Sequence, residues 1–392
     1  MDHPSRSLPA PEAFHVPGPG PYALSHSVGC LPRDARAALE SGFMGPWAHK
    51  AGGAWEDWLR GMEEFGGALA RLFGGLSSEF CPQSNLSSGL AKVLSALPHP
   101  PGARGADGIS TEKAARGRQG TLLAAEDSFP SLGFVLEQAR RKGYGVRWIP
   151  RTHSPADIQT WARELSADIR AVLVTHVHSN SGEVAPVAQI ARLCVERNSL
   201  CIVDVAQSAG IVPLSVTDLG AHVVLGSCVK WLCGGPGAGF MWVSSAMTGS
   251  LEPTDVGWFS HADPFEFDIH HFEYARDARR FWGGTPTVAP FVVAAASLRI
   301  IADIGVPAIH AHNRRLMRDF VDALSPAWRA RVTLEGIGGT LCIPVGADLE
   351  AITESLSAAR VQFDCRGPVV RLSFHVYNTV EDALRIAAAW PR

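Results

Sequence analysis

In GSCVKWLCGGPG (226–237), Lys230 follows the apolar run AHVVLG that starts at Ala221. An amine where a strand leaves a core is costly to bury, so its stem either snorkels to the surface or the amine serves chemistry. Thr175 follows AVLV and precedes HVHSNSG, and Asp204 ends LCIV. In an open α/β sheet, such strand ends form the rim where ligands bind. A lysine and an aspartate on one rim are what pyridoxal 5′-phosphate requires. The amine condenses with its aldehyde, and the carboxylate keeps its ring nitrogen protonated so that the ring accepts electrons. Upstream, SNLSSGLAKVL puts Ser84, Ser87 and Ser88 at a helix start, where free N–H groups and hydroxyls suit a phosphate. Singly, the lysine and aspartate read as a cap or ion pair, and Ser87 as an N-cap. Their co-occurrence in this order carries the case. GGPGAG is not a Walker loop, since no GKS or GKT follows, and no strand–turn–helix frames it as a dinucleotide fingerprint.

The elements that must position these residues alternate along the chain. SPADIQTWARELS has helical spacing with an N-cap expected at Ser154, and IRAVLVTHV reads as the next strand. APVAQIARLCVERN is helical, and SLCIVDVA and AHVVLGSC are strands. This pattern predicts an α/β fold: a mostly parallel sheet with helices on both faces. After about residue 300 a long helical stretch, TLCIPV, DLEAITESLSAAR, VVRLSF and EDALRIAAAW predict a smaller α+β unit. The expected organisation is an irregular Pro/Gly-rich arm over 1–20, a large domain over 21–295 and a small domain over 296–392. A loop excursion is expected between Leu97 and Gly120. With 392 residues, 46% hydrophobic and 19% charged, the chain is long enough for a large core. A formal charge of -3 gives no basic footprint for nucleic acid or membrane. No apolar stretch approaches a spanning helix, and the N-terminal text has no signal-peptide core. Eight scattered cysteines without a CxxC pair read as reduced thiols of a cytoplasmic protein.

DVAQSAG (204–210), VKWLCGGPGAGF (229–240), GWFSH (257–261), RRFWGGTP (279–286) and RLSFHVYNTVEDA (371–383) together resemble the class V aminotransferase branch of fold-type I pyridoxal-phosphate enzymes, and within it the kynureninases. The resemblance runs from PYALSHSVG, near residue 21, to the C-terminus. It implies that Lys230 is the Schiff-base lysine and Asp204 the partner of the ring nitrogen. It places Leu86, through its backbone, and Ser87 on the phosphate and Phe129 over the ring, where the residues alone also allow a core aromatic. Thr175, Gln207, Trp258 and Thr285 become further cofactor contacts, the last two reaching across a homodimer interface. Arg371 becomes the arginine for the substrate α-carboxylate, a role its bidentate guanidinium suits.

The chain departs from the kynureninase pattern at three places. Val229 stands where a tyrosine precedes the lysine, Gln207 where a histidine follows the aspartate by three residues, and Leu132 where FPSD carries an acid. A cysteine desulfurase needs a reactive cysteine on a mobile loop, whereas Cys342 lies inside TLCIPV. HADPFEFDIHHFEYARDARR and HVH match no zinc spacing, so no metal is expected. The resulting expectation is an enzyme that cleaves a bond at Cβ of an α-amino acid, by kynureninase-like C–C hydrolysis or C–S elimination from a cysteine conjugate. Transamination, epimerisation and decarboxylation-coupled oxidative deamination are the alternatives on the same scaffold. The rival outside enzymology is a non-catalytic cofactor-binding protein.

Overall fold

A computed structural model describes residues 8–100 and 120–391. Nearly all of the expected excursion between Leu97 and Gly120 lies outside them, as do the first seven residues. Residues 8–20 pack onto the body: Phe14 is fully buried with its ring 5.5 Å from that of Tyr377, and Phe14–His15 pairs with Leu31–Pro32.

Seven strands form the central sheet: β1 (Phe80–Gln83), β2 (Thr121–Ala125), β3 (Gly145–Ile149), β4 (Ile169–Thr175), β5 (Leu200–Asp204), β6 (Val223–Ser227) and β7 (Gly239–Val243). Their spatial order is β1-β7-β6-β5-β4-β2-β3. β2 to β6 run parallel, and β7 pairs antiparallel with both β6 and β1. Every residue of β5 is buried, the state expected of a parallel strand covered on both faces. Its register pairs Thr175 with Asp204, so those two side-chain carriers leave the sheet side by side. Helices cover both faces, among them α1 (Ala54–Phe73), α2 (Leu86–Ala96), α3 (Pro130–Gln138), α4 (Ile158–Glu164), α5 (Val187–Glu196) and α6 (Ala289–Ile304). α1 and α6 pack on one another through Phe65 and Phe291, ring centroids 4.9 Å apart.

Two caps differ from the sequence expectation. α4 is capped by Asp157, whose carboxylate accepts from Gln159 N at 2.9 Å; the Ser154 hydroxyl instead accepts from Ala156 N and donates to Glu183. α2 is capped by Asn85, which accepts from Ser88 N at 2.9 Å. Asx and hydroxyl residues compete for the same orphan N–H groups, and the one whose backbone is extended at the boundary takes the cap. Ser87 is thereby freed from capping.

α6 runs through residues 295 and 296, where the sequence places a domain boundary, and bends sharply at Gly305 into α7 (Val306–Ala323). Beyond it, β8 (Thr340–Pro344), β9 (Asp364–Arg366) and β10 (Val369–Ser373) form an antiparallel sheet in the order β8-β10-β9, backed by α8 (Leu349–Ala358) and α9 (Val380–Ala388). This unit has its own core of residues such as Phe320, Ile352, Leu372 and Ile386. No single described helix is long and apolar enough to cross a membrane.

Candidate active site

A cavity of about 260 Å³ opens at the carboxyl ends of β4, β5 and β6. Leu86, Ser87, Phe129, Thr175, Asp204, Gln207 and Lys230 all line it. Seven of the residues named from the sequence are therefore gathered in one place, although they span 145 positions of the chain.

Lys230 lies on a tight loop leaving β6. Cys233 N donates to Lys230 O, Gly234 N to Cys228 O, and Trp231 is driven fully into the core. The Trp231 indole N–H donates to Gln207 Oε1 at 3.2 Å, and His375 Nε2 lies 2.6 Å from Trp231 O. The bulky residue after the lysine is thus an anchor that holds the amine in the cavity. Gly29 closes over this loop, its N–H donating to Val229 O; a Cβ there would stand 2.1 Å from Lys230 O, so only glycine permits the approach. Burial pulls the Lys230 amine down to about 8, with Asp204 opposing and Arg371 and Arg366 reinforcing the shift. At pH 7 roughly a tenth of such an amine is neutral and nucleophilic, far more than of an ordinary lysine. Covalent capture of pyridoxal phosphate by the cofactor-free protein should therefore accelerate as pH rises and level off above about 8. A stopped-flow pH series that keeps accelerating to pH 10 would show an unperturbed amine.

Asp204 is 4% exposed. Its Oδ1 accepts from Ala206 N at 2.8 Å, and its other oxygen has no hydrogen bond from the described residues. Burial raises its proton affinity, against the Ala206 N–H and the charges of Lys230 and His178. A bare carboxylate in this position needs a cationic donor, and a protonated pyridine nitrogen is one. α2 points its N-terminus at the cavity with Asn85, Leu86 and Ser87 on the lining, the place for a phosphate. Phe129 is no core aromatic: 42% exposed, it forms one wall with its centroid 5.7 Å from Lys230 Nζ. Thr175 donates to Ser128 Oγ at 3.4 Å. Gln207 has both ends of its amide engaged, Nε2 donating to His26 O at 3.0 Å and Oε1 accepting from Trp231, which leaves one N–H for a ligand. The buried amine, the bare carboxylate, the helix N-terminus and the aromatic wall each fit a part of pyridoxal phosphate.

Trp258 and Thr285 do not line this cavity. Trp258 packs against Trp55 and Phe265, and Thr285 is exposed. Arg371 is buried at the edge of the site, where its Nε donates to Asp364 Oδ1 at 2.8 Å, its Nη2 to Asp364 Oδ2, and its Nη1 to Ser179 O at 3.0 Å. Asp364 also takes His26 Nε2 at 2.9 Å. Burial would raise its carboxyl, but His26 and Arg371 outweigh that and hold it well below the usual range. Cys342 sits in β8, its thiol pushed up to about 12 by burial, against the nearby charges of Arg371 and Arg366.

Sequence reasoning overlooked three groups at this site. Asp364 and Arg366 sit on a three-residue strand with no apolar pattern to place them. His178 is fully buried between the lining residues Val177 and Ser179, with neither ring nitrogen hydrogen-bonded and Nδ1 3.3 Å from Asp127. Its signal was the HVH text at the strand end.

A model of the aminotransferase class-V family matches residues 130–386. Over 84% of this chain and 82% of its own length, a Bacillus subtilis protein described as the uncharacterized aminotransferase YcbU is 26% identical. A kynureninase of Deinococcus radiodurans is 28% identical over 80% of this chain and 73% of its own length. Among solved structures, a C-DES mutant with glycine covalently linked to its PLP cofactor superposes with a TM-score of 0.81 at 19% identity, covering 94% of this chain and 96% of that one. The cysteine desulfurase from Thermococcus onnurineus NA1 gives 0.77 at 19% identity, covering 94% and 93%.

Proposed function

Since the chain belongs to the class-V aminotransferase family and is a pyridoxal-phosphate-dependent enzyme, we propose that it cleaves a bond at Cβ of an α-amino acid. The observation that carries this reading is Lys230: a buried amine whose pKa burial pulls down to about 8, facing an aspartate across a cavity with an apolar wall. Bound pyridoxal phosphate supplies an electron sink that stabilises negative charge at Cα and so permits departure of a group from Cβ. Lys230 Nζ would hold the cofactor's aldehyde carbon, and the same amine, when free, would take the Cα proton as a general base. Asp204 would keep the ring nitrogen protonated, Thr175 and Gln207 would offer it further contacts, and Ser87 with the N-terminus of α2 would hold the phosphate. The arginines at the cavity edge, Arg371 with Arg366 beside it, read the substrate carboxylate.

Leu86, Phe129, Leu132, Val177 and Val229 give the cavity an apolar lining, which supports an aryl-keto or thioether side chain over a charged one. The kynureninase relative supports C–C cleavage. Val229 and Leu132 remove the tyrosine and the acid of the kynureninase pattern from this wall, and Gln207 replaces its histidine with an amide; these changes favour a divergent substrate, with C–S elimination as the other Cβ reaction. The second reading is transamination, which the relative described as an aminotransferase favours. Holoenzyme incubated with kynurenine, cysteine conjugates and a panel of amino acids, and analysed by mass spectrometry, separates them. Cβ cleavage releases the side-chain fragment with no keto-acid acceptor present, together with alanine after C–C hydrolysis or with pyruvate and ammonia after C–S elimination. A keto acid formed only when a second keto acid is present would establish transamination instead.

The active unit in this reading is a homodimer in which Trp258 and Thr285 complete the partner's cavity. Their absence from the Lys230 cavity, and the exposed Phe265 beside Trp258 with exposed Phe267, Ile269 and Phe272 following in the same segment, support it. Sedimentation of the active enzyme as a monomer would exclude that arrangement. Eight unpaired cysteines support a reducing, cytoplasmic setting.

A further inference from the structure

His26 is 1% exposed and belongs to no helix or strand, yet it touches both sides of the site. Its segment starts on the small sheet, where Leu24 bridges to Ser373, and ends on the Lys230 loop, where Gly29 N donates to Val229 O. On β10, Arg371 and Ser373 are two residues apart and share a face, and the β9–β10 register sets Asp364 opposite Arg371. The His26 ring bridges these groups: Nδ1 lies 2.8 Å from Ser373 Oγ, and Nε2 lies 2.9 Å from Asp364 Oδ1. Its backbone carbonyl accepts from Gln207 Nε2 at 3.0 Å.

The charges fix the direction of each hydrogen bond. Against burial, His26 and Arg371 hold Asp364 well below the usual carboxylate range, so it is ionised and only accepts. Burial lowers the proton affinity of His26, with Asp364 opposing and Arg371 and Lys230 reinforcing the shift, so the ring is neutral at pH 7. Its one ring proton therefore sits on Nε2, and Nδ1 takes the Ser373 hydroxyl. Asp364 Oδ1 is shared between His26 Nε2 and Arg371 Nε, and Oδ2 takes Arg371 Nη2. With Ser179 O on Nη1, Arg371 spends three of its five N–H groups, and one remains on each terminal nitrogen.

We propose that His26 is a positioning residue for substrate binding: by sharing Asp364 it keeps that carboxylate from claiming the whole charge of Arg371, and so leaves the guanidinium able to take the substrate carboxylate. Its carbonyl, by fixing Gln207, ties the same segment to the cofactor side. Without the Nε2–H, Asp364 would be a part-buried carboxylate with Arg371 as its one partner among the described residues. That pair would tighten and compete with the arriving substrate. The inference rests on Arg371 as the carboxylate arginine proposed above, and adds the residue that governs its availability.

The test follows the cofactor absorbance of holoenzyme during titration with L-alanine and other proteinogenic amino acids, with ethylamine as the analogue of alanine that lacks the carboxylate. His26→Asn keeps a polar group near Ser373 but is too short for Asp364, whereas His26→Gln extends as far as the Nε2 it replaces. Both should keep the cofactor spectrum. His26→Asn should raise the amino-acid midpoint about tenfold, the scale of one hydrogen bond to a charged group. The ethylamine midpoint should not move, and His26→Gln should recover most of the loss. In an Asp364→Asn background, His26→Asn should cost nothing further, because its effect runs through that carboxylate. Equal midpoints in His26→Asn and wild type overturn the proposal, as does an equal loss for ethylamine or a full loss that persists without the Asp364 charge. Loss of the cofactor from both variants marks a structural role and overturns it too. The underlying reading fails separately, if Arg371→Leu leaves the amino-acid midpoint unchanged or if wild-type holoenzyme responds to no α-amino acid.

Discussion

Lys230→Ala is expected to abolish covalent attachment of the cofactor and to reduce turnover by roughly a thousandfold or more, because one amine serves both as covalent holder and as the base at Cα. The fold should survive. Trp231, not Lys230, anchors the loop in the core, and the backbone hydrogen bonds that shape the loop need no lysine side chain. No other described lysine can substitute. Lys92 and Lys142 spend their ammonium groups on backbone carbonyls, and Lys50 pairs with Asp57 at the surface. The variant should bind pyridoxal phosphate only reversibly, removable by gel filtration. Retention of a covalently bound cofactor would contradict the assignment.

Asp204→Asn is expected to cost at least ~100-fold in turnover, the scale of a misplaced electrostatic partner in a site shielded from water. An asparagine oxygen can still accept from Ala206 N, so the local backbone has no reason to move. The carboxyl has a raised pKa in the folded protein, where burial is the main cause. Folding therefore takes up protons there, and the charge weighs against the cofactor-free fold once the pH exceeds the ordinary aspartate range. Cofactor-free Asp204→Asn should consequently melt no lower than wild type at pH 7, even though its holoenzyme is nearly inactive. A variant with normal rates, or one with a strongly lowered melting temperature, would show that Asp204 is a structural group.

The rim residues were legible in the sequence because buried parallel strands read as unbroken apolar runs, so a polar residue ending one stands out. Thr175, Asp204 and Lys230 were placed in that way. The cap of α2 was misjudged because Ser87, Ser88 and Asn85 offer the same chemistry within four positions, and only backbone geometry selects Asn85. The polar network of His26, Ser179, Asp364, Arg366 and Arg371 was invisible for another reason. It joins residues more than 300 positions apart across two sheets, and no local period marks such a contact. The resemblance marked Arg371 as a carboxylate arginine, but nothing in VVRLSF announced Asp364 as its partner. Phe129 could have been core or wall until the cavity showed it as wall.

The central claim is that the amine of Lys230, held in a buried cavity opposite Asp204, is the group that carries pyridoxal phosphate. Borohydride reduction of the holoenzyme followed by peptide mapping tests this most directly. The sequence contains only five lysines, so the position of a pyridoxyl label is unambiguous. The account predicts the label on the peptide containing Lys230 and on no other. A label on Lys50, Lys92, Lys113 or Lys142, or no label on protein that holds the cofactor, would contradict it.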